Sequence, residues 1–243
     1  EVSASAVYPF TVNANRILVA NFVPTYTITT SASPVAGGTT SGGGTVNSGD
    51  SVTVQASANA GYNFVNWTEG GIAVSASASY GFTASANRTL VANFALNTYT
   101  ITTSASPVAG GSTSGGGTVN SGVSVTVQAS ANAGYGFINW TEGSAVESSS
   151  ASYTFTASAN RSLVANFDTY AQQLSKAIDA ALSDDPPGLA NSMHQQAEGI
   201  SSAPNANAKA GRLGAFINHV NAQRGKALTP AEADNLIALA KLL

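Results

Sequence analysis

Residues 25–70 read TYTITTSASPVAGGTTSGGGTVNSGDSVTVQASANAGYNFVNWTEG, and nearly the same string returns at residues 98–143. Tyr26 maps to Tyr99, Trp67 to Trp140, Arg88 to Arg161 and Phe94 to Phe167, all at a spacing of 73. Self-similarity at such a period marks a tandem array in which each copy is one folding unit. Each copy closes on a shared segment, SASYGFTASANRTLVANF at 77–94 and SASYTFTASANRSLVANF at 150–167. The run SASAVYPFTVNANRILVANF at 3–22 is that closing segment again, without the stretch that precedes it in the other two.

Inside a repeat the hydrophobic period is two. Val52, Val54, Ala56 and Ala58 alternate with Ser51, Thr53, Gln55 and Ser57, and Leu90, Ala92 and Phe94 alternate with Thr89, Val91 and Asn93. Alternation of this kind suits a sheet with one buried and one wet face. It predicts strands near 26–32, 51–58, 62–68, 74–83 and 88–94, separated by Gly, Asn and Ser turns. The expected core is Tyr26, Ile28, Val52, Val54, Phe64, Trp67, Tyr80, Phe82, Leu90 and Phe94. About 70 residues with no disulfide can bury only a small core, so neighbouring modules are expected to support one another.

The composition narrows the chemistry. The chain has 243 residues, no cysteine, two histidines, a charged fraction of 9% and a net charge of −3. Disulfide frameworks, Cys-type zinc sites and iron–sulfur clusters are excluded. Nothing resembles the basic footprint of a nucleic-acid binder, and no apolar run approaches a membrane span. All the lysines lie beyond residue 167, which excludes Lys–Asn isopeptide cross-links in the repeats and places the main compositional boundary near Phe167 and Asp168.

The run G-G-x-x-x-G-G-G-T-V-x-x-G-x-x-V-T-V-x-A at Gly37 to Ala56, then G-Y-x-F-x-x-W at Gly61 to Trp67, then L-V-A-N-F at Leu90 to Phe94, resembles the divergent InlB B-repeat family. The resemblance covers both full repeats and the partial one. It implies small, mostly β, β-grasp-like modules arrayed in tandem in secreted and surface-attached bacterial proteins, and it implies no reaction.

Beyond Asp168 the period becomes helical. Tyr170, Leu174, Ala177, Ile178, Ala181 and Leu182 share a face that stops before Asp184-Asp185-Pro186-Pro187-Gly188. Leu213, Phe216, Ile217 and Val220 follow helical spacing. Thr229-Pro230-Ala231-Glu232 is a capping box with proline at the first helical position. Leu189 to Ile200 is a less regular candidate for a further helix. The segment around Leu213 to Asn221, with Gly225-Lys226 and the last capped helix, looks like the FIMAH-type helical domain of secreted bacterial proteins. The expected architecture is therefore mainly β tandem repeats of β-grasp-like modules followed by a small all-α bundle. Its parts are the C-terminal half of a repeat at 1–22, full repeats at 25–94 and 98–167, and helices at 168–243. Linkers of two or three residues, Val23-Pro24 and Ala95-Leu96-Asn97, are expected to hold neighbours in a nearly fixed relation.

Candidate sites are few. Gly42-Gly43-Gly44-Thr45 lacks the lysine of a phosphate loop and joins strand to strand, so it reads as a β-loop. Trp67 with Glu69, and Trp140 with Glu142, are the candidate ligand or interface residues, with a glycan as the natural ligand for an exposed Trp. The competing role for each Trp is core, and it is the favoured one, because each repeat has one Trp and a small module needs it there. Glu69 and Glu142 read as turn carboxylates rather than acid catalysts. Glycoside hydrolysis needs two facing carboxylates, and Asp50, the best partner, becomes Val123 in the next copy. His194 and His219 read as exposed helix residues, and no catalytic residue, metal site or cofactor is expected. The remaining candidates are Val2, Tyr8, Phe10, Leu18 and Phe22 in the partial repeat, which two strands alone could not keep from water. Either they belong to a longer repeat array, or another molecule completes them in a head-to-tail homopolymer. The expectation is a non-enzymatic extracellular or cell-surface bacterial protein, a stalk or filament subunit. The alternative is an adhesin or carbohydrate-binding accessory module of a larger secreted protein.

Overall fold

The computed structural model describes residues 2–185 and 187–243. Glu1 of the partial repeat and Pro186 of the helix breaker lie outside the described residues. The chain divides into two compact units, Glu1–Ala95 and Leu96–Leu243.

The first repeat has eight strands: β1 (Thr25–Ser33), β2 (Gly38–Ser41), β3 (Gly44–Asn47), β4 (Ser51–Ala58), β5 (Tyr62–Glu69), β6 (Ile72–Ser75), β7 (Ser79–Thr83) and β8 (Arg88–Leu96). They form a five-stranded sheet in the order β3-β1-β8-β5-β6 and a three-stranded sheet in the order β2-β4-β7. The closing segment supplies the central strand, β8, which runs parallel to β1 from Ile28 opposite Arg88 to Ser33 opposite Asn93. Being central explains its pattern: Leu90, Ala92 and Phe94 are buried. They meet Val52, Val54 and Ala56 of β4 in one cluster with Ile28 and Trp67, so the core lies between the two sheets. Every residue of the expected core is in that cluster or packed against it.

Three details were not in the sequence pattern. The Gly-rich stretch contains two short strands, β2 and β3, rather than a loop alone. The expected strand at 74–83 breaks in two because the Ser75 hydroxyl accepts from the Ser77 amide at 3.0 Å and closes a tight turn. Thus β6 stays with the large sheet while β7 crosses to the small one. Finally, Ser33–Pro34 and Ser106–Pro107 are cis peptide bonds.

The second repeat copies the first with β9 (Thr98–Ser106), β10 (Gly111–Ser114), β11 (Gly117–Asn120), β12 (Ser124–Ala131), β13 (Tyr135–Glu142), β14 (Ala145–Ser148), β15 (Ser152–Thr156) and β16 (Arg161–Thr169). Its sheets are ordered β11-β9-β16-β13-β14 and β10-β12-β15. Here β16 pairs antiparallel with β13 and parallel with β9.

Four helices follow: α1 (Tyr170–Ala181), α2 (Pro187–Ser201), α3 (Ala206–Gln223) and α4 (Pro230–Ala240). The strand β16 extends past Phe167 to Thr169, beyond the compositional boundary, and Thr169 then caps α1 in a capping box with Gln172. No connecting residue separates sheet from helix. Gly136, where the first repeat has Asn63, leaves the room beside β13 that the Gln173 side chain takes up. Thr229 and Glu232 form the capping box of α4, with proline at the helix start. Leu174, Ile178, Met193, Ile200, Phe216, Val220, Leu228 and Leu236 close the bundle core.

The repeats rely on glycine for close sheet packing. A Cβ on Gly37 would lie 2.6 Å from the Cβ of Phe94. Gly37→Ala should therefore destabilise the first repeat by about 1–3 kcal/mol through overpacking. Urea unfolding followed by Trp fluorescence checks it, since Trp67 and Trp140 are both fully buried.

Candidate functional site

In each repeat the chemistry-bearing residues converge where the two sheets meet at one end. Arg88 opens β8, Glu69 closes β5, and Tyr80 and Phe82 sit on β7 of the other sheet. The Arg88 guanidinium donates from Nε at 3.0 Å and from Nη2 at 2.6 Å to Oε2 of Glu69, and from Nη1 at 3.2 Å to the Tyr80 hydroxyl. Its central carbon lies 4.3 Å from the Phe82 ring centre, within cation–π range. One planar cation thus joins a carboxylate of one sheet to two aromatic rings of the other. The Arg88 hydrogen bond holds the Glu69 carboxyl below the ordinary 4.5, although partial burial pushes the other way.

The second repeat repeats the arrangement with one addition. Arg161 donates from Nε to Glu142 at 2.8 Å, from Nη1 to the Tyr153 hydroxyl at 3.1 Å, and from Nη2 to Glu147 at 2.6 Å. Its central carbon sits 4.5 Å from the Phe155 ring centre. Glu147 stands where the first repeat has Val74, so comparing the copies concealed it. Burial pushes the Glu142 carboxyl up, but the Ser162 amide and Arg161 outweigh it and bring it below 4.5. The two carboxylates share a single arginine, and an ionised, arginine-bound Glu142 is the wrong form for a general acid.

The candidate Trp residues are placed differently from the glutamates. Trp67 and Trp140 are each 0% exposed. Their indole N–H groups donate to Ala78 and Ala151 carbonyls at 3.1 Å, and they pack against Phe64 and Phe137. Stacking on a sugar would need a solvent-facing ring, which neither offers. The asparagines of the Asn-x-Ser/Thr sequences are also internal fasteners. Asn66 accepts from Asn93 at 2.8 Å across β5 and β8, and Asn87 accepts from the Thr27 amide at 2.8 Å; Asn139 and Asn160 do the same in the second repeat.

The partial repeat behaves unlike its copies. Residues 2–24 form no strand. Val2, Phe10, Leu18 and Phe22 are exposed, Phe22 at 90%, while Tyr8 is half-buried and stacks on Phe10 at 5.5 Å between ring centres.

In the helical bundle His194 is not the exposed residue that the sequence suggests. Its Nε2 lies 2.8 Å from Asp179 and its Nδ1 3.3 Å from the Ser175 hydroxyl, beside a cavity of about 330 Å³ lined by Gln172, Ser175, His194 and Leu243. Ser175 and Asp179 are one turn apart on α1, so the imidazole ties α2 to α1. Backbone amides inside α1 are spent on the helix itself, so the turn that carries Ser175 offers no oxyanion hole. No group of His, Asp and Glu suited to a metal ion occurs among the described residues.

The divergent InlB B-repeat domain family matches the chain twice, over residues 27–98 and 100–171. No curated protein matches it. Among solved structures, the Bacillus anthracis TIE protein is similar at 11% identity and a TM-score of 0.29, over 60% of this chain and 34% of that one. The chain spans about a third of that protein's length, and a score of this size does not establish a common fold.

The depressed carboxyls of Glu69 and Glu142 set a pH dependence. Their stabilisation is fully present above the ordinary carboxylate value of 4.5 and is lost as pH falls through the lower folded-state values. Thermal melts between pH 7 and 3 should show this loss, and Glu69→Gln with Glu142→Gln should flatten it.

Proposed function

The chain belongs to the divergent InlB B-repeat family, and from that premise we propose that it is a non-catalytic structural protein of a bacterial surface. The observation that carries this reading is where the polar side chains go. In both repeats the arginine, the carboxylates, the indole N–H and the sequon asparagines are hydrogen-bonded inside the module. Groups spent in this way hold a module together and leave little to turn over a substrate. Two copies at constant spacing then serve as length, in the manner of a stalk or spacer.

The same reading places the protein outside the cell. The family is typical of bacterial surface proteins. Among the described residues no helix is long and apolar enough to cross a membrane.

Assembly is the finer part of the proposal. The exposed apolar side chains of residues 2–22 form a contiguous sticky segment, and we assign them to head-to-tail association between copies. Light scattering and negative-stain electron microscopy at rising concentration test this. Concentration-dependent fibres or oligomers that vanish when residues 1–22 are deleted are the expected result. A monodisperse monomer at every concentration would overturn the assembly claim. A hydrolytic activity lost on Glu142→Gln would overturn the non-catalytic one.

A further inference from the structure

We propose that Ser175 is an acyl acceptor, a hydroxyl that His194 activates to take one uncharged acyl group from an activated ester and hold it. The inference is independent of the stalk and assembly readings and concerns α1 and α2 alone.

Three side chains of the bundle are connected in series. Asp179 lies 2.8 Å from Nε2 of His194, and the Ser175 hydroxyl lies 3.3 Å from Nδ1. A carboxylate only accepts, so Asp179 fixes the proton of the neutral ring on Nε2. The lone pair is then on Nδ1 and faces the Ser175 hydroxyl. The spacing is a little longer than the closed contact of a nucleophile with its base, as is usual before a substrate binds. Ser175 is half-buried, and the imidazole side chain is 25% exposed, so the ring is held in place rather than free to turn in solvent.

The cavity beside the ring supplies an internal comparison. Two serines line it, Ser175 on α1 and Ser201 on α2. Ser201 donates to the Ala197 carbonyl one turn earlier at 3.3 Å, so its proton is spent on its own helix. The Ser175 hydroxyl has its hydrogen bond with the imidazole instead. Ala171 and Ala197 make part of the wall apolar, and the volume of about 330 Å³ accommodates a short acyl chain. The carboxylates of Glu198 on the wall and Asp179 behind the ring disfavour a phosphoryl or other anionic donor.

The step is an acyl transfer. Ser175 Oγ bonds to the acyl carbon, and the bond from that carbon to the leaving oxygen or sulfur breaks, the leaving atom keeping the electron pair. The serine proton passes to Nδ1 of His194 and then to the departing group. With no oxyanion hole on this turn, only a donor with a good leaving group reacts, an aryl ester or a thioester. The serine ester that forms has a poor leaving alkoxide and meets no such help, so the acyl group stays.

The test adds p-nitrophenyl acetate to the full chain at neutral pH. The expected result is a burst of a single equivalent of p-nitrophenolate, with an acetyl group on Ser175 by peptide mass spectrometry. Hydroxylamine should remove that label, as it does a serine ester but not an acetylated lysine. Ser175 should react at least about tenfold faster than Ser201. Ser175→Ala should abolish the burst, and His194→Gln should bring Ser175 down to the rate of Ser201. Asp179 acts through the ring as a positioning residue, so Asp179→Asn should slow the reaction and Asp179→Glu restore it. The melt should change little in either, because Asp179 is 67% exposed and such a pair adds little stability. Label confined to lysines, equal rates at Ser175 and Ser201, or a burst that survives His194→Gln would overturn the proposal. Where His194→Gln fails to fold, equal rates in the two Asp179 variants would overturn it instead. Release well beyond one equivalent that requires Ser175 would overturn it too, because the acyl group would not be held.

Discussion

Each repeat depends on one strand arriving last. The closing segment, β8 or β16, slots between the first strand of its module and the strand that carries the tryptophan. Without it the five-stranded sheet is two separate strand pairs, β3-β1 and β5-β6, and the core loses Leu90, Ala92 and Phe94 at once. Everything else in the module serves that insertion. Glycines at positions 37 and 38 let the backbone approach the Phe94 ring, and Asn87 and Asn93 fasten the strand at both ends to its two neighbours. A parallel pairing between the first and last strands is a long-range contact, closed only after the whole module has been threaded.

The arginine cluster is a consequence of that insertion. Arg88 is the first residue of the inserted strand, so the chain brings its cation to the sheet junction as the strand enters. There it finds a carboxylate from the large sheet and rings from the small one. Its side chain is only 17% exposed, and Glu69 33% exposed, so the pair lies between a screened surface contact and a buried one. The second copy adds Glu147, which places a second anion on Arg161.

Much of this was legible in the residues. Period-two alternation located β4 and β8 to within two residues, because it comes from burial on one face, and the self-comparison revealed the two repeats. The helix caps at Thr229 and Glu232 were equally plain. The Ser75 turn was not, since alternation of apolar residues continues through it while a side-chain hydrogen bond decides the break. Nor was the His194 contact, which depends on how α1 and α2 pack rather than on any spacing in the chain. Glu147 was hidden by the very comparison that revealed the repeats, because a residue present in one copy alone drops out of a consensus. In the partial repeat the alternation of Leu18, Ala20 and Phe22 is as clean as in its copies, yet no strand forms, because a strand also needs neighbours on its edges.

The order of strands has a mechanical side. A module is entered at the start of β1 and left at the end of β8, and these two strands lie side by side and parallel. Tension along the chain therefore pulls the two in opposite directions along their shared ladder. The load falls on all of its hydrogen bonds together, in shear, instead of peeling them apart one at a time as it would from a hairpin. Resistance to such a pull is governed by how fast the ladder slips, not by the modest equilibrium stability of a small core. A module of this design can be thermodynamically ordinary and still hold when tugged.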